Sequence, residues 1–146
     1  MKFLVVNGPN LNMLGKREPE IYGVETLNDI IKKTENEAKS LGVEVDFFQS
    51  NHEGEIIDKI QSAIGKYDSI IINPAAFTHY SIAVRDAVKS TGIPTIEIHI
   101  SNIHLREEFR SKSVISPVCI GQISGFGSDS YILGLHAAIL TCKKEG

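Results

Sequence analysis

The sequence predicts an α/β protein: a doubly wound, five-stranded parallel sheet with helices on both faces. Short apolar runs such as residues 3–6 and 69–72 lack polar alternation, which is typical of parallel strands covered on both sides. Segments with apolar residues at helical spacing separate these runs, and this alternation favours parallel pairing. A length of 146 residues with 42% hydrophobic content fits a single domain over residues 1–146.

The elements can be placed in chain order. We predict strands over residues 3–6, 43–49, 69–72, 95–99 and 118–120. Thr26 and Asp29 form an N-cap signal for a first helix that runs to about Leu41, with Gly42 after its end. Further helices are predicted over residues 55–64, 81–89 and 131–141, with a short helical turn at 104–109 and a glycine-rich turn at 121–127. Five strands in this arrangement fit the flavodoxin-like order 2-1-3-4-5.

Charge and hydropathy exclude several classes of partner. The net charge is −3 and no block of lysine and arginine occurs, so we expect no nucleic-acid partner. The amino-terminal apolar run is too short for a signal peptide, and no window approaches the ~18 apolar residues of a membrane helix. We therefore expect a cytoplasmic protein that does not engage membranes.

Residues 8–25 form a long polar segment rich in glycine and proline, and a loop of this length in a small domain is usually functional. Arg17 and Tyr22 both lie in it. A guanidinium near a phenol favours the phenolate, so the pair could act as a base, and residues 15–25 could close as a lid. A solvated arginine and a packing tyrosine remain the alternative.

Ligands of doubly wound folds gather at the carboxyl ends of the strands. Segments 7–12, 73–81 and 97–102 follow three predicted strands and are rich in Asn, His, Ser and Glu. Glu97 and His99 lie two residues apart, so their side chains leave the same face. A carboxylate beside an imidazole fixes its tautomer and favours its protonated form, which suits a general acid. An ion pair without a catalytic role is the open alternative.

Other polar residues of these segments could hold an anionic or hydroxylated ligand. Asn73 and His79 can hydrogen-bond hydroxyl groups, and the amides near Ile100 and Ser101 could bind a carboxylate. Arg106 and Arg110, four residues apart, would share one face of a helix and could clamp an anion. A turn asparagine and surface arginines are the corresponding structural alternatives.

The sequence shows no phosphate-binding loop, no dinucleotide motif, no nucleophile elbow and no metal-ligand spacing at His99 and His104. We therefore expect no cofactor and no metal. Because the fold alone does not define a function, a flavodoxin-like module that binds a nucleotide or flavin stays open as the alternative to an enzyme.

Five segments carry a resemblance to a known family: NGPNLN at 7–12, REPEIYG at 17–23, FQSNHEG at 48–54, NPAAFTH at 73–79 and EIHISN at 97–102. Together with residues 121–131 they resemble type II 3-dehydroquinate dehydratases over nearly the whole chain. The resemblance implies anti elimination of water from 3-dehydroquinate, which gives 3-dehydroshikimate through an enolate. It also implies a place in the shikimate pathway of aromatic amino acid biosynthesis, with quinate breakdown as the alternative.

The resemblance also implies a role for each matching residue. Tyr22 matches the base, Arg17 the lid arginine, His99 the general acid with Glu97 beside it, and Asn10 the residue that holds the enolate oxygen with a water. The matching substrate-binding set comprises Asn73, His79, Ile100, Ser101 and Arg110, with Arg106 nearby and Asp86 reaching the site of a neighbouring subunit. The family further implies a dodecamer built from four trimers and no cofactor.

Overall fold

The computed structural model describes residues 1–16, 20 and 23–145. Five parallel strands run through this part of the chain: β1 Lys2–Asn7, β2 Glu44–Gln49, β3 Ser69–Asn73, β4 Thr95–His99 and β5 Gly121–Ser124. The helices are α1 Leu27–Ser40, α2 Glu53–Ser62, α3 Ile82–Thr91 and α4 Asp129–Glu145. The sheet order β2-β1-β3-β4-β5 confirms the predicted order 2-1-3-4-5.

Alternating side chains of the central strands build two cores. Phe3 and Val5 point to the face covered by α1 and α4, where they pack with Leu135. Leu4 and Val6 point to the opposite face, which α2 and α3 cover. Each of these β1 side chains is completely buried, which explains why the strand reads as an uninterrupted apolar run.

Local signals set the ends of α1 as predicted. The Thr26 hydroxyl accepts a hydrogen bond from the Asp29 N–H, and the Asp29 carboxylate accepts one from the Thr26 N–H. This reciprocal capping box satisfies two amide groups that a helix start leaves without partners. Beyond Leu41, Gly42 takes a left-handed conformation with φ of 73° that glycine adopts without strain.

The predicted position of the fifth strand was wrong. Residues 116–118 form a 3₁₀ helix, and β5 lies in the segment that we predicted as a turn. Val118 and Cys119 owe their apolar character to packing against the α2–α3 core rather than to strand pairing. β5 is an edge strand, and its Gln122 pairs with Glu97 of β4.

Register at the carboxyl ends positions the site. Asn7, the last residue of β1, lies opposite Asn73, the last residue of β3. The Gly8 N–H donates to the Asn73 carbonyl at 2.8 Å. A Cβ atom on Gly8 would lie 2.4 Å from the Pro74 carbonyl oxygen, so only glycine permits this approach. No helix of the described residues has both the length and the apolar character to cross a membrane.

Candidate active site

A pocket opens at the carboxyl ends of β1, β3 and β4, where the fold predicts ligand binding. The structure brings eight of the sequence-predicted site residues together around it. They are Asn10, Asn73, His79, His99, Ile100, Ser101, Arg106 and Arg110. Apolar side chains of the β1 loop complete the wall, including Leu11, Met13 and Leu14.

Of the other predicted site residues, the two that the structure describes, Glu97 and Asp86, do not line this pocket. Glu97 lies behind His99, within its hydrogen-bonding distance. Asp86 is exposed on α3. Arg17 and Tyr22, the predicted lid arginine and base, lie outside the described residues.

Glu97 is a completely buried carboxylate at the centre of a hydrogen-bond network. Its Oε2 accepts from Thr78 Oγ1 at 2.9 Å, from Gln122 Nε2 at 2.7 Å and from the His99 ring at 2.5 Å. Its Oε1 accepts from Ser113 Oγ at 2.8 Å. A buried charge persists only when such partners replace the lost hydration.

Two opposing effects set the pKa of Glu97. Burial raises it, because a carboxylate loses hydration inside the protein. The hydrogen bond and the Coulombic attraction of His99 act in the other direction, together with hydrogen bonds from Ser113 and Gln122. The donors prevail, and the pKa of Glu97 lies below its ordinary value. Glu97 is therefore ionised at neutral pH.

His99 is the last residue of β4 and lines the pocket with 5% of its surface exposed. Its Nε2 lies 2.5 Å from Glu97 Oε2. An ionised carboxylate only accepts hydrogen bonds, so Nε2 carries a hydrogen. Nδ1 is then the ring nitrogen that can exchange a proton with a ligand, which is the arrangement that a general acid requires.

His79 lines the same pocket and presents the other ring nitrogen to a ligand. Its Nδ1 lies 2.8 Å from the Lys112 carbonyl, which can only accept, so Nδ1 carries the hydrogen. Burial lowers the pKa of His79, and the charges of His99 and Arg110 lower it further. A neutral His79 consequently has an unprotonated Nε2 that can accept a hydrogen bond from a ligand hydroxyl.

Asn73 has the structural role that was the alternative to ligand binding. Its Oδ1 accepts from the Ala75 N–H at 3.2 Å, which holds Ala75 at an unfavourable φ of 52°. Its Nδ2 donates to the Tyr131 hydroxyl at 3.0 Å. Because an amide nitrogen carries two hydrogens, one remains for a ligand in the pocket.

Asn10 begins a short 3₁₀ turn in the left-handed region, with φ of 68°. Asparagine tolerates this conformation better than most side chains. The Asn10 N–H donates to Asn51 Oδ1 at 2.9 Å, and Gln49 Nε2 donates to the same oxygen at 3.2 Å. The loop after β2 thus supports the loop after β1.

The prediction of one short helical turn over residues 104–109 was wrong, because the segment contains two separate 3₁₀ helices. Two 3₁₀ helices, Ile103–Leu105 and Glu108–Arg110, flank an extended Arg106. Arg106 and Arg110 therefore share no helix face, although both line the pocket. Arg110 Nε lies 3.4 Å from Glu107 Oε1, and its guanidinium lies 5.1 Å from the centre of the Phe109 ring.

The sequence interpretation missed the residues that support the site from behind. Thr78, Ser113 and Gln122 hold Glu97, and Tyr131 joins Asn7 to Asn73. One signal was available for Gln122, a polar side chain on the strand that neighbours Glu97. Because the predicted β5 began three residues too early, the prediction did not place Gln122 beside Glu97. Within the described residues, no group of three His, Cys, Asp or Glu side chains is arranged to hold a metal ion.

Comparison with known proteins identifies relatives of the whole chain. A 3-dehydroquinate dehydratase of Caldicellulosiruptor bescii is 64% identical over 137 residues, covering 93% of this chain and 94% of the relative. One of Geotalea daltonii is 58% identical over 144 residues, covering 99% and 100%. The crystal structure of a type II dehydroquinase from Butyrivibrio crossotus superposes with a TM-score of 0.93 at 52% identity, covering 95% and 97%.

The family described as dehydroquinase class II matches residues 1–139. This match does not favour the alternative of a nucleotide- or flavin-binding module. The chain belongs to the class II dehydroquinase family.

Proposed function

We propose that this chain removes water from 3-dehydroquinate and yields 3-dehydroshikimate, as the names of its relatives suggest. The observation that carries the proposal is the His99–Glu97 pair at the wall of the pocket. It provides a proton donor for a departing hydroxyl group without any cofactor.

The proposed reaction has two proton transfers. Tyr22, as phenolate beside Arg17, removes a proton from the carbon next to the ketone, and the electron pair moves to the ketone oxygen to form an enolate. Asn10 holds that oxygen through a water. The enolate then re-forms the carbonyl, the carbon–hydroxyl bond breaks, and His99 protonates the hydroxyl so that it leaves as water.

The binding role of the other pocket residues follows from their chemistry. The backbone N–H groups at Ile100 and Ser101 are suited to the substrate carboxylate. Arg110, with Arg106 beside it, adds positive charge to the same pocket. His79 accepts a hydrogen bond from a substrate hydroxyl and Asn73 donates one, which together orient the ring between base and acid.

We propose that the chain forms a homo-oligomer, a dodecamer of four trimers, and acts in the cytoplasm in aromatic amino acid biosynthesis. Exposed apolar side chains support an assembly: Leu105 is 83% and Phe109 is 63% exposed in the isolated chain. The exposed Asp86 would reach a neighbouring pocket. Sedimentation analysis tests the assembly, and a monodisperse monomer at micromolar concentration would exclude it.

The activity is tested with dialysed enzyme, 3-dehydroquinate and EDTA, by following the ultraviolet absorbance of the conjugated enone product. We expect a rise in absorbance with wild-type enzyme and none with His99→Ala, because that variant lacks the proton donor. Correctly folded wild-type protein that produces no enone would refute the proposed function. A bound chromophore in the purified protein would favour the flavin-binding alternative.

A further inference from the structure

Glu97 receives its hydrogen bonds from four different parts of the chain. Thr78 follows β3, Ser113 precedes β5, Gln122 lies on β5 and His99 ends β4. Three of these groups converge on a single oxygen, Oε2. Three side chains besides His99 therefore donate to Glu97, and their contribution to the state of this carboxylate needs an explanation of its own.

Gln122 differs from the two hydroxyl donors in a decisive way. A hydroxyl can either donate or accept, so Thr78 and Ser113 can adapt to a protonated carboxyl group. The Gln122 Nε2, 2.7 Å from Glu97 Oε2, can only donate. The amide therefore stabilises the ionised carboxylate more than the acid, because a charged oxygen is the stronger acceptor.

Ionised Glu97 in turn determines what His99 can do. A carboxylate accepts the Nε2 hydrogen and stabilises a second hydrogen on Nδ1, the nitrogen available to the pocket. A protonated Glu97 would withdraw that stabilisation. Gln122 does not line the pocket, so its influence on a ligand passes through Glu97 and His99.

We propose that Gln122 is a positioning residue for the dehydration: its amide holds Glu97 in the ionised form that keeps His99 ready to donate from Nδ1. This inference rests on the proposed function. It assigns a role to a side chain of the edge strand that does not touch the substrate.

Among the described residues, His79 and Cys119 are the titratable groups closest to the pair, and His104 lines a cleft with Ser113 and Gln122. His79 faces it from the turn after β3 with a lowered pKa, and is neutral near pH 7. Cys119, before β5, is also neutral, because burial and the charge of Glu97 raise the pKa of its thiol to about 12. Arg106 and Arg110 line the pocket on the side that His99 faces. Tyr22 and Arg17 belong to the proposed reaction and lie outside the described residues.

Two substitutions of Gln122 should respond to pH in opposite directions. In Gln122→Met the donor is lost, the pKa of Glu97 rises, and the low-pH loss of kcat should move up by about one pH unit. In Gln122→Glu two carboxylates face each other when both are ionised, so kcat should fall by about tenfold or more at alkaline pH. As the pH falls, the introduced carboxyl gains a proton, donates to Glu97, and kcat should recover. KM should stay near the wild-type value in both variants.

Ile123→Ala is the matched control, because Ile123 lies on the same strand and packs against the core on the other face. It should lower the melting temperature without moving the pH dependence of kcat. The proposal is overturned if folded Gln122→Met keeps the wild-type profile, or if Ile123→Ala shifts the profile equally.

A second measurement keeps this inference separate from the proposed function. Carbon NMR of carboxyl-labelled glutamate follows the titration of Glu97 without turnover, with Glu97→Gln identifying the signal. We expect the midpoint of this titration about one pH unit higher in Gln122→Met than in wild type. An unchanged midpoint would overturn the role of Gln122 even if the enzyme is active. If the wild-type enzyme is inactive but the midpoint still differs between Gln122→Met and wild type, only the proposed function is overturned.

Discussion

Tyr131 shows how one hydroxyl can hold two strand ends together. It is 1% exposed, donates to Asn7 Oδ1 at 2.5 Å and accepts from Asn73 Nδ2 at 3.0 Å. Asn7 and Asn73 begin the loops that carry Asn10 and Ala75 into the pocket. Burial raises the pKa of Tyr131, so the phenol stays neutral and keeps the hydrogen that it donates.

Tyr131→Phe should lower the free energy of unfolding by about 1–3 kcal/mol, because it leaves two buried asparagine atoms without their partner. Urea denaturation followed by circular dichroism measures this loss. Tyr80→Phe is the control, since Tyr80 is 61% exposed and its substitution should change stability by less than about 0.5 kcal/mol. Equal stabilities of the two variants would contradict the role of the hydroxyl.

At the scale of elements, the sequence predicted what burial and capping determine. β1 and β3 are apolar on both faces, and Thr26, Asp29 and Gly42 delimit α1. The positions of these elements can therefore be predicted from the local sequence. β5 was missed because its position depends on pairing with β4, a contact that no local pattern records. For the same reason Glu97 and His99 were predicted as a pair from their spacing, whereas the donors around Glu97 were not.

Glycine in two helices provides a test of element packing. Ala favours a helix over Gly by roughly 0.5–1 kcal/mol, and a Cβ at Gly54 of α2 would meet no atom within 4 Å. A Cβ at Gly134 of α4 would lie 2.9 Å from an Ile98 methyl and 3.0 Å from an Ile71 methyl. We expect Gly54→Ala to raise the melting temperature and Gly134→Ala to lower it.

Gly54→Ala and Gly134→Ala make the same chemical change, so each variant is the control for the other. Overpacking of a filled core costs about 1–3 kcal/mol, which exceeds the gain in helix propensity at Gly134. Differential scanning calorimetry of the two variants measures both signs. A rise in melting temperature for Gly134→Ala would mean that α4 can move away from the sheet at little cost.

At the scale of the whole molecule, ionised carboxylates make stability depend on pH. The pKa of Glu97 is lower in the folded chain than its ordinary value of 4.5, through the balance of burial and donors described above. The pKa of Asp46 is also lowered, first by the hydrogen bond from Tyr67. The folded protein therefore binds fewer protons than the unfolded chain in the acidic range.

It follows that the stabilisation from these groups is complete above the ordinary carboxyl pKa and is lost as the pH falls through the folded values. We expect the urea concentration at the unfolding midpoint to decrease as the pH is lowered from about 5 to the folded pKa values. For Glu97 the folded pKa lies below 4.5. In Glu97→Gln this decline should be shallower, because one of the contributing groups no longer titrates. An equally steep decline in that variant would show that Glu97 contributes nothing to acid sensitivity.

Gln122 and Tyr131 both belong to the last quarter of the chain, whereas the groups that they hold come from β1, β3 and β4. A ribosome releases the amino-terminal part first. A nascent chain that ended before Gly121 would contain Glu97, His99, Asn7 and Asn73, yet neither the amide nor the hydroxyl that orders them. Completion of the pocket is therefore tied to completion of translation.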